Sequence, residues 1–222
     1  MDGTNGTPRE RRRERTRSLI LQAAEELLAE GGLQKLTLAE LAQRAAYSKP
    51  AIYEYFGGIE DILIELTNAG FTRLGEQVKA VDAALPPDKR LLTIARVILQ
   101  FAADNVELYQ LMFTHIIFSP GRFERRWQES QGDTDASYRI ASEAIQQGID
   151  QGIFKTRPGF DHDAMQYLCW VTVHGMASLK SALVREVGLD MPHNHDLVLT
   201  FLLNNLKGTL PDELPLMPVP GA

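Results

Sequence analysis

The sequence is poor in the residue types that most site chemistries require. Its 222 residues include one cysteine, Cys169, so no disulfide can form within the chain, and this usage fits a reducing compartment. Cys169 stands in an apolar run, where an inert buried thiol is expected rather than a nucleophile. The five histidines, His115, His162, His174, His193 and His195, show no repeated spacing with carboxylates or thiols, so no zinc pattern is present. No glycine-rich phosphate loop occurs. The expectation is therefore no catalytic residue, no metal, no cofactor and no enzyme activity. Long apolar segments are missing too. The longest uncharged helical run, Ala164 to Leu179, contains Gln166, Thr172, His174 and Ser178 and falls short of the ~20 apolar residues of a membrane span. No apolar segment follows the basic residues near the N-terminus, so no signal peptide and no membrane partner are expected, and the expected location is cytoplasmic. Convincing strand patterns and internal repeats are also lacking, which leaves an all-α class.

What is there is enough for one or two domains with a real core: 44% of the residues are hydrophobic and 23% charged, as in soluble globular proteins. The net charge is −6, which on its face argues against a nucleic-acid partner. The charge is segregated, however. Between Pro8 and Arg17 stand Arg9, Arg11, Arg12, Arg13, Arg15 and Arg17 against Glu10 and Glu14, a local net of +4. Attraction to phosphates depends on the local potential at the docking face, not on the whole-chain charge. Alone, such a run reads equally well as a solvated tail.

The stretch from Thr37 to Phe56, TLAELAQRAAYSKPAIYEYF, decides between the two. Thr37 is a good N-cap with Glu40 three residues later, the spacing of a capping box. Leu38, Leu41, Ala42 and Ala45 give the helix that follows one apolar face. The pattern stops at Ala46-Tyr47. Ser48 is a second N-cap, and Pro50 is tolerated in a first turn whose amides have no helical partner. A second helix, Lys49 to Phe56, follows at once. Two helices joined so tightly must cross steeply, as in a helix-turn-helix whose second member enters the DNA major groove. Ile52 and Phe56, at i and i+4, anchor that helix inward, which leaves Lys49, Pro50, Ala51, Tyr53, Glu54 and Tyr55 at or near its outer side.

The order Thr37, Glu40-Leu41-Ala42, Ala45, Ser48, Ile52-Tyr53, Tyr55-Phe56 and Glu60-Asp61-Ile62-Leu63 resembles the DNA-binding signature of the tetracycline-repressor (TetR) family of one-component bacterial regulators. The match covers roughly residues 15 to 65. The resemblance implies that Thr37, Ser48, Tyr53 and Tyr55 touch phosphates, that Lys49, Pro50 and Ala51 face base edges, and that Arg17 belongs to the same DNA-binding set. It also implies a homodimer on a palindromic double-stranded operator, more often a repressor, released by a small-molecule inducer. Three positions depart from the pattern. Ala46 replaces the usual glycine of the turn, Tyr47 the small aliphatic after it, and Gly58-Ile59 the usual Ser-Lys or Asn-Lys opening of the next helix.

Along the rest of the chain, residues 1–8 are expected to be a disordered arm and 9–57 a three-helix DNA-binding domain, whose first helix runs from about Arg9 or Arg11 to Glu30 and stops at Gly31-Gly32. A helical regulatory and dimerisation domain then fills 58–208, for about nine helices in all, before a proline-rich tail at 209–222. Its expected helices are Ile59 to Ala83, a lever between the domains ended by Pro86-Pro87; one from Asp88, apolar nearly all round; Glu107 to Phe118; a short one at Phe123 to Gln131; Thr134 to Gly152; Asp163 to Val187, capped by Asp161; and Leu197 to Leu206, after a loop from Gly188 to His195. Within it Cys169 to Gly175 resembles the Trp-His-Gly signature of one branch of TetR-family C-terminal domains. Trp170 and His174 share a helix face, and Gly175 permits another helix to come close. Either they pack in a core or interface, or His174 contacts ligand or senses pH. Phe101, Tyr109, Met112, Phe113, Trp127, Tyr138, Trp170 and His174 are the candidate ligand residues, for an apolar or aromatic molecule. The competing readings are an enzyme or a helical interaction module whose basic arm binds some other acidic partner.

Overall fold

The computed structural model describes residues 7–118, 136–187 and 192–209. Among them are nine helices and no strand: α1 Pro8–Lys35, α2 Leu38–Ala45, α3 Lys49–Tyr53, α4 Ile59–Lys79, α5 Pro87–Asp104, α6 Val106–Phe118, α7 Ala136–Asp150, α8 His162–Val187 and α9 Pro192–Leu206. The expected helix at Phe123 to Gln131, the loop after it, Trp127, residues 1–6 and the tail from Leu210 lie outside the described residues.

Local chemistry explains most boundaries. Thr7 caps α1 in a complete capping box: its hydroxyl accepts from the Glu10 amide at 3.3 Å, and the Glu10 carboxylate accepts from the Thr7 amide at 2.6 Å. Pro8 takes the first helical position, where a missing N–H costs nothing. The first helix therefore begins earlier than expected. Helical conformation breaks, as expected, at Gly31-Gly32, where Gly32 has φ 67°. The lever helix α4 ends at Lys79, short of Ala83, because Asp82 takes up a local turn in which its carboxylate accepts from the Ala84 amide at 2.8 Å. Pro87 then opens α5 instead of only closing what precedes it. Pro192 likewise opens α9 five residues before the expected start at Leu197. Asp161 caps α8 as expected, accepting from the Ala164 amide at 3.1 Å.

Two compact units result. One comprises Met1–Gln77 with Gln100–Ala136, the other Val78–Leu99 with Ser137–Ala222. In the first, α1 packs on α2 and on α6, so the helix-turn-helix bundle is part of a larger packed body. Its core includes Ile20, Ala24, Leu27, Leu41, Ile52, Ile62 and Leu74, each at most 1% exposed. A Cβ on Gly70 of α4 would lie 2.6 Å from the Met112 sulfur of α6, so glycine is what lets these helices approach.

In the second unit Leu91, Ile145, Phe154, Met165, Val173, Leu199 and Leu206 form one apolar cluster with Cys169. Burial pushes the Cys169 thiol up to about 12, which fits an inert residue. The helix α5 is not buried all round: Leu91, Ile94 and Ala95 are, while Leu92, Val97 and Ile98 are not fully covered. The C-terminal end of α9 is tied down by Lys207, which pairs with Asp88 at 2.5 Å, and by the Lys155 amide, which donates to the Leu206 carbonyl at 2.8 Å. Among the described residues no helix is long and apolar enough to cross a membrane.

Candidate nucleic-acid interface

The corner between α2 and α3 is built from backbone and cap hydrogen bonds. Thr37 accepts from the Glu40 amide at 3.2 Å. The reciprocal half of the expected box does not form, because the Thr37 amide donates instead to the Lys35 carbonyl at 3.0 Å. The chain leaves α2 through Ala46 in the left-handed region, φ 58° and ψ 37°. A residue with a Cβ costs roughly 1–2 kcal/mol there, so replacement of the usual glycine leaves the turn in place but strained. The Tyr47 amide donates to the Ala42 carbonyl at 3.0 Å, the long bond of a Schellman end. Ser48 then caps α3, accepting from the Ala51 amide at 3.2 Å.

The third helix ends at Tyr53, not at Phe56. Beyond it the chain tightens into three-residue bonds, Glu54 amide to Ala51 carbonyl at 3.2 Å and Tyr55 amide to Ile52 carbonyl at 3.0 Å. Ile52 and Phe56 are buried as expected, at 0% and 3% exposure. Thr37, Ser48, Lys49, Pro50 and Tyr53 are exposed, and Ala51 and Tyr55 half-buried, a pattern read directly along the motif. At the start of α4, where the usual Ser-Lys is replaced, the Asp61 carboxylate accepts from the Gly57 amide at 2.8 Å.

The arginines of α1 divide into two groups. Arg9, Arg11, Arg12 and Arg15 are exposed. Arg13, also exposed, and Arg17, half-buried, reach the end of α3. Arg13 donates to the Glu54 carbonyl at 2.8 Å and Arg17 to the Tyr55 carbonyl at 3.1 Å. Sequence reasoning places Arg17 with the DNA-binding residues and does not single out Arg13. Their four-residue spacing puts them on one helix face, but Arg11 and Arg15 share that spacing, so it does not single them out. At the other end of the motif Arg44 of α2 reaches back to Glu30 at 2.8 Å and Glu26 at 3.4 Å on α1. Arg44 first, then Lys35, holds the Glu30 carboxyl at about 2. This surface brace fixes α2 against the end of α1.

The candidate ligand residues among the described residues are divided between the two units. Phe101, Tyr109 and Met112 are buried in the first unit, where Phe113 lies edge-on to Phe71 at 5.4 Å and tilted on Tyr109 at 4.6 Å. Burial raises the Tyr109 phenol above its ordinary value. In the second unit Tyr138 lies edge-on to Trp170 at 5.6 Å, and Trp170 tilts on His174 at 4.1 Å. Burial pushes His174 down to about 4, which favours the neutral imidazole. A Cβ on Gly175 would meet nothing within 4 Å; no helix of the described chain makes the close approach expected there. Among the described residues no group of three or more His, Cys, Asp or Glu could hold a metal ion.

Comparison with known proteins agrees with this geometry. Residues 20–66 match the family model for bacterial regulatory proteins of the tetR family. The uncharacterized HTH-type transcriptional regulator YobS of Bacillus subtilis (strain 168) is 27% identical over 95 residues, 43% of this chain and 50% of that protein; the matched region thus spans about half the length of the relative. Among solved structures, the transcriptional regulator FadR from Bacillus subtilis in complex with stearoyl-CoA superposes with a TM-score of 0.68 at 20% identity, over 85% of this chain and 98% of that one. A bacterial regulatory protein in the tetR family from Rhodococcus RHA1 gives 0.67 at 16%, over 86% and 96%. At these identities the structures speak for the fold, and the family model speaks for the α1 to α4 region. Over residues 20–66, then, this chain is similar to the bacterial regulatory proteins of the tetR family.

Proposed function

We propose that the protein is a homodimeric one-component transcriptional regulator, a repressor that binds a palindromic DNA operator and is released when a small apolar or aromatic ligand binds its C-terminal domain. The observation that carries this reading is the outward row Lys49, Pro50 and Tyr53 on α3, presented by a capped turn beside the arginine-rich α1. Lys49, Pro50 and Ala51 face base edges; Thr37, Ser48, Tyr53 and Tyr55 position the backbone. Lys49→Ala should cost roughly 1–3 kcal/mol on a duplex selected by the protein from a random library, and much less on random DNA, whereas Tyr53→Phe should weaken both alike. Equal losses on both duplexes after Lys49→Ala would remove its readout role. A wild-type protein that retards no selected duplex would remove the regulator reading altogether.

The ligand half of the proposal is supported by the apolar character of both aromatic groups and by the likeness in fold to a regulator bound to stearoyl-CoA. The Trp-His-Gly run at Trp170, His174 and Gly175 supports assigning the C-terminal domain to that branch of the family. A ligand lowers DNA affinity only if it prefers a conformation in which the two recognition helices no longer match half-sites ~34–36 Å apart. The helix α4, which leads out of the DNA-binding bundle, is the element whose tilt would do this. Coupling of ~1–3 kcal/mol suffices, and reciprocity requires DNA to weaken the ligand by the same factor. Calorimetric titration of stearoyl-CoA should give dissociation constants about 5- to 150-fold apart with and without the selected duplex. Equal constants would show that an acyl thioester is not the inducer.

A further inference from the structure

The recognition helix is too short to hold itself. With five residues it has almost no internal bonds, far below the length at which an isolated helix is stable. Its orientation must come from what it touches. Its buried anchors, Ile52 and Phe56, fix its depth in the core, but the carbonyls that follow Tyr53 have no helical partner.

Those carbonyls are taken by α1. Arg13 and Arg17, one helical turn apart, donate to the consecutive carbonyls of Glu54 and Tyr55. Their guanidinium groups also lie over consecutive rings, Arg13 5.1 Å from the Tyr55 centroid and Arg17 4.5 Å from that of Phe56. Arg17 has a third partner: its Nη2 is 2.5 Å from Glu65 Oε1 on α4. One guanidinium thus joins the end of α3 to both α1 and α4. A planar fork suits this task and the compact ammonium of lysine does not. The same geometry argues against a phosphate role. An arginine whose charge is met by a carboxylate at 2.5 Å, and whose face covers a buried ring, attracts DNA less than its exposed neighbours do.

We propose that Arg17 is a positioning residue for the recognition helix, set by Glu65, and does not contact DNA phosphate. The inference rests on the DNA-binding reading above. It gives α4 a direct handle on α3, since any movement that separates Glu65 from Arg17 loosens the end of the recognition helix.

The sign of one substitution tests it. Glu65→Gln removes a negative charge, so electrostatics alone predicts unchanged or tighter binding to every DNA. If Glu65 instead sets Arg17, the substitution weakens binding to the selected duplex by about three- to tenfold and leaves random duplex of equal length unchanged. Arg17→Lys, which keeps the charge, should lose about tenfold on the selected duplex only, with the slope of affinity against salt preserved. Anisotropy titrations of the full chain across a salt series read all of this. Unchanged or tighter binding of Glu65→Gln on the selected duplex overturns the inference. So does an Arg17→Lys protein equal to wild type together with an Arg17→Gln protein whose salt slope falls by about one on both duplexes, the signature of a lost phosphate contact. If wild type itself does not discriminate between the duplexes, the regulator reading fails first and takes this inference with it.

Discussion

Replacement of Phe201 by glutamate should leave the protein folded, convert it to a monomer and abolish its binding to operator DNA. Phe201 on α9 is 55% exposed in the single chain, beside Leu197 at 55% and Val198 at 38%. The paired helix α8 adds Tyr167, Trp170, Val171 and Leu179, all well exposed. Such an apolar surface on two neighbouring helices is larger than scattered exposed residues account for. The proposed occupant is a second copy, with α8 and α9 of each subunit forming a four-helix bundle. In a two-fold interface each substitution occurs twice. Two carboxylates buried without partners should raise the dimer dissociation constant by about a thousandfold. Each monomer then offers one recognition helix, and the gain from holding two half-sites at once disappears. Sedimentation velocity at micromolar concentration reads the first effect and gel retardation the second. A wild-type protein that sediments as a monomer there would sink the dimer model.

The second large effect concerns stability. Gly148→Ala in α7 should destabilise the protein by about 3 kcal/mol, the upper end of ordinary overpacking costs. A Cβ at this position would stand 2.1 Å from Cδ2 and 2.4 Å from Cε2 of the Phe154 ring. That ring cannot retreat: Phe154 is 2% exposed and packs against Leu91, Ile145 and Met165 in the core of the second unit. Its amide also donates to the Gly148 carbonyl at 2.9 Å, which pins the backbone of the turn. The melting temperature should fall by roughly 6–12 °C. Phe154→Ala alone should cost about 3–5 kcal/mol through its cavity. The double variant should lie well below the sum, because the smaller side chain makes room for the added methyl. Strict additivity, or a Gly148→Ala protein that melts within a degree of wild type, would show that the clash relaxes elsewhere.

Features carried by residues a few positions apart are legible in the sequence. Thr37, Ser48 and Asp161 cap the helices they precede, and Ile52 and Phe56 face inward. Gly31-Gly32 breaks the first helix, and the class is all-α. Each rests on one helical turn of chain, where spacing alone determines which groups can meet. Proline is what misleads at the boundaries. Pro87 and Pro192 fall where a breaker or a loop is expected, yet each opens a helix, because a residue without N–H is equally at home in a first turn. The Thr7–Glu10 box shows the converse: its spacing is a local signal, but it lies at the edge of a Gly/Thr/Asn segment whose composition points to disorder.

The sequence by itself determined the capped helix-turn-helix, the arginines before it and the apolar faces of the long helices, since all depend on chain neighbours and on periodicity. Only the tertiary structure decided which of those arginines reach the end of α3. Arg13 and Arg17 find their acceptors 41 and 38 residues away, and nothing local distinguishes them from Arg12 or Arg15. It likewise gave the candidate ligand residues their neighbours within each unit, Tyr109 and Phe113 beside Phe71 in one and Tyr138 beside Trp170 and His174 in the other. It also brought the Phe154 ring against Gly148. These outcomes have one physical cause. Helix formation is settled within a turn or two of chain, whereas the partner of a side chain depends on which helix faces bury together, a choice made by the packing of the whole unit.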